Sequence, residues 1–129
     1  MHRVVITLSA VAIISACTTV SYESVDDRTL SYGCSDIVVV GRVENDSANQ
    51  ASYISDDLIG HGSFSAELRV RRVVSGSSIP ASLPVKYFAH TYIRGDRDFM
   101  FVLTPVDGGY AIATAQLMSN KPRAVRSCP

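Results

Sequence analysis

The sequence predicts an all-β protein, a small five-stranded Greek-key barrel placed after a signal peptide and a flexible tether. Three observations predict it. Beyond the first sixteen residues, no amphipathic helical stretch of about twelve residues occurs. Short β-branched or alternating runs recur instead, divided by clusters of Gly, Pro, Asn, Asp and Ser. The chain has 129 residues, of which 47% are hydrophobic, enough for one buried core and too apolar for a disordered chain. Its 12 basic and 12 acidic residues balance, which argues against a binder that works by neutralising nucleic-acid phosphates. No run approaches the roughly 20 apolar residues of a lasting transmembrane helix.

Residues 1–16 begin with His2 and Arg3, continue with an apolar stretch from Val4 to Ile14 and end in Ser15 and Ala16. This is the three-part plan of a secretory signal. Ile14-Ser15-Ala16-Cys17 resembles the bacterial lipobox, in which a branched aliphatic and two small residues precede an obligatory Cys. The resemblance implies that the Cys17 sulfur accepts a diacylglyceryl group and that its new N-terminus is acylated, giving several acyl chains and durable anchoring. The alternative is an ordinary signal peptide cleaved after Ala16, leaving Cys17 as a thiol. With no acidic residue at position 18, analogy with Gram-negative bacteria points to the outer membrane, on its periplasmic side.

Removal of residues 1–16 leaves 113 residues with 11 basic and 12 acidic side chains, a net charge of −1. Residues 17–33 are polar and weakly periodic and read as a lipidated tether, with the domain spanning 34–129. Cys34 and Cys128 then remain in an oxidising compartment and are expected to form a disulfide around nearly the whole domain. A redox or metal-binding thiol pair is the alternative. It finds neither a Cys-x-x-Cys nor a zinc spacing.

The first strand is expected from Asp36 to Val43, apolar on both faces and therefore central, with Gly41 marking a bend or bulge. Asn45 to Gly62 reads as a long exposed loop, with one short turn near Ser55 to Ile59. Phe64, Ala66, Leu68 and Val70 alternate with Ser65, Glu67, Arg69 and Arg71, the clearest half-buried strand in the chain. Its phase slips at Arg72, which suggests a bulge before the Ser75-Gly76-Ser77-Ser78 turn. A third strand is expected from Val85 to Tyr92, and a fourth from Phe99 to Leu103, apolar on both faces and ended by Pro105. Asp107-Gly108-Gly109 is the next turn, and Tyr110 to Leu117 the fifth strand. Asn120 to Arg126 is expected to be a short helical or irregular segment that returns Cys128 to Cys34.

A bent first strand, a long loop and a polar turn after the second strand suggest a barrel of the OB-fold type. Asp36 to Val43, Glu67 to Gly76, Pro84 to Tyr87, Asp98 to Leu103 and Asp107 to Tyr110 together resemble netrin-like, tissue-inhibitor-of-metalloproteinase-like domains over roughly residues 34 to 117. The resemblance implies a compact extracellular interaction module. Inhibitors of that family chelate a target zinc through the amine and carbonyl of a free N-terminal Cys. Here Cys34 is internal and the amine of Cys17 would be acylated, so that role does not carry over.

Candidate binding residues are the basic stripe Arg69, Arg71 and Arg72, suited to anionic headgroups or acidic glycans, and the Tyr87, His90 and Tyr92 region. A solvated strand face and a half-buried core position are the respective structural alternatives. His61, between two Gly, reads as a surface-loop residue because no second His or Cys stands at ligand spacing. Ser63, Ser65 and His61 lack the Gly-x-Ser-x-Gly frame of a hydrolase, and Arg94-Gly95-Asp96 reads as a turn. No catalytic residue, cofactor or metal site is expected. The expected function is that of a non-enzymatic envelope lipoprotein acting as a protein-interaction or inhibitory module. A glycan- or small-ligand-binding lipoprotein is the alternative. Membrane contact would come through the lipid anchor, with an envelope protein as partner and no nucleic acid. Replacing Cys17 with Ser should move the protein from the membrane fraction to the soluble fraction. Retention as firm as that of the unmodified sequence would overturn the anchor.

Overall fold

The computed structural model describes residues 28–46, 52–53 and 61–128. The signal segment, the lipobox with Cys17, the tether up to residue 27 and the turn expected near Ser55 to Ile59 lie outside the described residues. Eight strands are seen: β1 (Thr29–Tyr32), β2 (Ile37–Asn45), β3 (Ser52–Tyr53), β4 (Gly62–Ser75), β5 (Ser82–Ala89), β6 (Phe99–Val106), β7 (Gly109–Leu117) and β8 (Arg123–Arg126). A 3-10 turn at Met118–Asn120 is the one helical element among the described residues.

Five strands close a barrel in the order β2-β6-β7-β5-β4 and back to β2. All neighbours are antiparallel except β5 and β7, which run parallel with Val85 opposite Tyr110 and Tyr87 opposite Ile112. This is the all-β, OB-fold-like barrel that the sequence predicts. Alternation sets the inner faces: Phe64, Ala66 and Leu68 of β4, and Leu83, Val85 and Tyr87 of β5, point into one buried cluster. Ile37, Val39 and Val43 of β2 meet Phe101 and Leu103 of β6 in the same cluster.

β4 makes the closure possible. Its first half pairs with β5 from Gly62 to Arg69, and its second half pairs with β2 from Ala66 to Ser75. The phase slip expected at Arg72 is resolved into two register shifts. They leave Arg71 and Val74 as extra residues opposite the Val40/Gly41 and Val38/Val39 steps. Gly41 sits where β2 passes close to β4, and a Cβ there would overlap the Arg69 carbonyl oxygen.

A second layer explains why β2 and β6 are apolar on both faces. β1 and β8 form a separate two-stranded parallel ribbon with Leu30 opposite Ala124. Leu30, fully buried, packs with Val38, Val40, Met100 and Val102 from the outer faces of β2 and β6. The Cys34–Cys128 disulfide joins the two exits of this ribbon, with a Cα–Cα distance of 5.4 Å and a sequence separation of 94. The Ser127 amide donates to the Tyr32 carbonyl at 2.8 Å beside it.

Several boundaries differ from the sequence reading for physical reasons. Thr29–Tyr32 is a strand, not part of the tether, because β8 supplies its partner. The segment expected to be helical or irregular from Asn120 to Arg126 is a 3-10 turn followed by β8. β5 ends at Ala89, opposite the first residue of β4, so His90 to Tyr92 have left the sheet. β6 runs through Pro105 to Val106, because past Leu103 it has only β7 as a neighbour, a setting that tolerates a residue without an N–H. Replacing both Cys34 and Cys128 with Ser should lower stability by about 2–5 kcal/mol, as expected for opening a loop of this length. Denaturant unfolding with and without reductant checks it, and equal midpoints would show that the bond does not hold the domain.

Candidate functional site

A groove of about 680 Å3 runs across the outer faces of β4 and β5. Ser65, Glu67 and Arg69 of β4 and Lys86 of β5 form its floor, because alternation turns them away from the core. The end of β2, from Glu44 to Asp46, makes one wall. The β6–β7 turn, from Val106 to Gly109, makes the other together with Tyr110. That turn is tight because Gly108 takes a φ of 82°.

Four carboxylates and two cations line the groove, an excess of two negative charges: Glu44, Asp46, Glu67 and Asp107 against Arg69 and Lys86. Arg69 gives two N–H bonds to one Glu44 oxygen, at 3.1 and 2.9 Å. The Ser82 hydroxyl donates to Glu67. With Arg69 and Glu44 balanced against each other, Asp46, Glu67 and Asp107 face Lys86. The groove is an acidic surface.

The sequence-predicted residues do not converge on one place. Arg69 lies at the groove, held by Glu44. Arg71 pairs with Asp98 at 3.2 Å, and Arg42 of β2 donates to the same Asp98 oxygen at 2.7 Å. Arg72 stands exposed between the two bulges, opposite Val40. His90 and Tyr92 lie at the opposite end of β4, past the Gly62–Ala89 pair. Seven residues of extended strand separate Gly62 from Arg69, about 23 Å at roughly 3.3 Å per residue. The arginines and these aromatic residues therefore form two regions.

Tyr87 faces inward, at 5% exposure, stacked on Phe64 with ring centroids 5.2 Å apart. The hydroxyl donates to Asn45 Oδ1 and accepts the Ile93 amide at 3.1 Å, while Asn45 Nδ2 donates to the Ile93 carbonyl at 2.8 Å. This ring of three bonds pins the loop after β5 to the end of β2. Gly95 completes the fit, since a Cβ there would sit 2.6 Å from the Val43 carbonyl oxygen. Arg94 donates two bonds to the Asp96 carboxylate, at 3.0 and 2.8 Å, so Arg94-Gly95-Asp96 closes on itself as a turn. The hydrogen bond from Arg94 holds the Asp96 carboxyl below its usual range.

Sequence reasoning missed two groupings. Lys86, Glu67 and Asp107 are far apart in the chain, and the one signal read for the groove was the outward phase of Glu67 on its strand. His61 and His90 are brought face to face, with ring centroids 3.7 Å apart, and exposed Phe88 stacks on His61 at 5.0 Å. Among the described residues, no group of three or more His, Cys, Asp or Glu is placed to hold a metal ion. Comparison with known proteins finds no matching family model, no matching curated protein and no matching solved structure.

Burial is the main cause that lifts the Tyr87 phenol above its ordinary value of 10.0, partly offset by the bond from the Ile93 amide. The folded state thus holds this proton more tightly than the unfolded chain. The associated stability is complete below pH 10 and is lost as the pH rises above it. Tyr87→Phe should cost about 1–3 kcal/mol by stranding Asn45 and the Ile93 amide. It should also remove a tyrosine that ionises above pH 10 from an ultraviolet alkaline titration. An unchanged unfolding midpoint and titration curve would refute the assignment.

Proposed function

We propose that this chain is a non-enzymatic lipoprotein of the bacterial cell envelope, anchored through Cys17 in the outer membrane with its barrel facing the periplasm. The barrel serves as a protein-interaction or inhibitory module. The acidic groove carries this reading. It occupies the outer face of the second and third barrel strands, beside the connection that joins the fourth and fifth, where barrels of the OB type bind their ligands. Glu67 and Asp107 can accept hydrogen bonds from Lys or Arg side chains, Lys86 can meet a carbonyl or carboxylate, and Tyr110 offers an aromatic wall. Such chemistry suits an extended, basic segment of a partner protein. The resemblance of residues 34 to 117 to netrin-like domains supports the same class of module, and the lipobox resemblance supports the anchor.

A glycan ligand held by an arginine stripe is less favoured, because Arg69 and Arg71 are engaged by Glu44 and Asp98. Covalent crosslinking of the full chain in intact cells, followed by mass spectrometry, tests the proposal. One dominant envelope protein should be captured, and reversing the groove charge with Glu67→Lys and Asp107→Lys should cut its yield by about tenfold or more. Capture unaffected by the reversal would overturn the groove as the docking face. No protein above background would overturn the protein-interaction reading in favour of a glycan or lipid ligand.

A further inference from the structure

We propose that Phe88 is a second anchor at the end of the acidic groove, so that the groove takes an extended protein segment carrying a large apolar side chain four residues from a Lys or Arg. This rests on the reading of the groove as a docking face. Phe88 is 53% exposed and belongs to neither buried cluster. It shares the outward phase of Pro84 and Lys86 on β5, while Leu83, Val85 and Tyr87 point into the core. Across the hairpin the successive outward pairs are Glu67 with Pro84, Ser65 with Lys86 and Ser63 with Phe88. The floor of the groove therefore continues one pair beyond Lys86 and ends on an aromatic ring.

The walls set the direction of the occupant. One wall comes from the end of β2 beside β4 and the other from the β6–β7 turn and Tyr110 beside β5, so the groove is open along the strands and leads to Phe88. The neighbours there are small: Ser63 lies opposite, and on β7 Ala111 is registered with Lys86 and Ala113 is exposed. His61 stacks on the ring with centroids 5.0 Å apart and planes 11° from parallel, which holds it in place before a ligand arrives. Four residues of strand separate Glu67 from Ser63, about 13 Å at roughly 3.3 Å per residue. An extended ligand has the same rise, and its alternate residues face the same side. A basic residue set on Glu67 thus places its fourth neighbour over Phe88 and its second over Lys86, where like charge disfavours another basic residue. Burying an apolar side chain against the ring adds the hydrophobic contribution that a charged groove lacks.

Photoreactive p-benzoylphenylalanine placed at position 88 of the full chain, irradiated in intact cells and followed by mass spectrometry of the cross-linked peptides, tests the anchor. The cross-link should fall on one segment of the protein captured through the groove, at or beside a large apolar residue four positions from a Lys or Arg. Phe88→Ser should cut capture of that protein about tenfold or more, as for an aromatic anchor at an interface, and Phe88→Leu should retain most of it. Capture unchanged in Phe88→Ser but still lost on reversing the groove charge at Glu67 and Asp107 would overturn the anchor and leave the groove standing as the docking face. Capture insensitive to both changes would overturn both readings. Cross-links scattered over unrelated proteins, or on segments without that spacing, would overturn the anchor as well.

Discussion

Closure of the barrel rests on one strand serving two neighbours. β4 hydrogen-bonds to β5 through its first half and to β2 through its second, with both engaged from Ala66 to Arg69. An open five-stranded sheet would leave two long edges of unsatisfied backbone groups, and closing it removes them. The bend needs β2 and β4 to approach closely at Gly41 and needs two extra residues, Arg71 and Val74, on the outside of the curve. The inward set from Phe64 to Leu103, the groove floor and the opposed histidines all follow from that arrangement.

The barrel core is modest, and the chain adds to it from outside. The β1–β8 ribbon covers the outer apolar face of β2 and β6, so Val38, Val40, Met100 and Val102 are buried by a second small layer. A two-stranded ribbon is marginal by itself. Its disulfide ties the exits of the two strands together, and Leu30 gives it a fully buried anchor. At the opposite end of β2, the bonds among Asn45, Tyr87 and Ile93 restrain the loop after β5. Polar bonds and a covalent bond thus hold the two margins that apolar burial alone would leave loose.

Charge placement gives the surface its character. The chain carries equal numbers of basic and acidic residues, yet the ion pairs distribute them unevenly in effect. Asp98 takes up Arg42 and Arg71, and Glu44 takes up Arg69. Exposed pairs of this kind contribute little stability, about 0–1 kcal/mol each. Their larger consequence is chemical, since the guanidinium groups are occupied while Glu67, Asp107 and Lys86 face the groove. The surface that looks basic along the sequence of β4 is acidic where it is concave.

The sequence by itself determined the all-β class, the five barrel strands to within a few residues, the inward face of β4 and the pairing of Cys34 with Cys128. Each depends on local period or on the choice among very few cysteines. Alternation in β4 even assigned Glu67 to the outer face. Periodicity reports which side of a strand is buried, however, and not which strand lies beside it. The tertiary structure alone decided that Thr29–Tyr32 meets β8, that Pro105 stays in a strand with one neighbour, and that Tyr87 belongs to the core. It also decided that Arg69 and His90 lie at opposite ends of one strand while His61 and His90 touch. Those outcomes depend on long-range register, which is set only when the whole ring of strands closes.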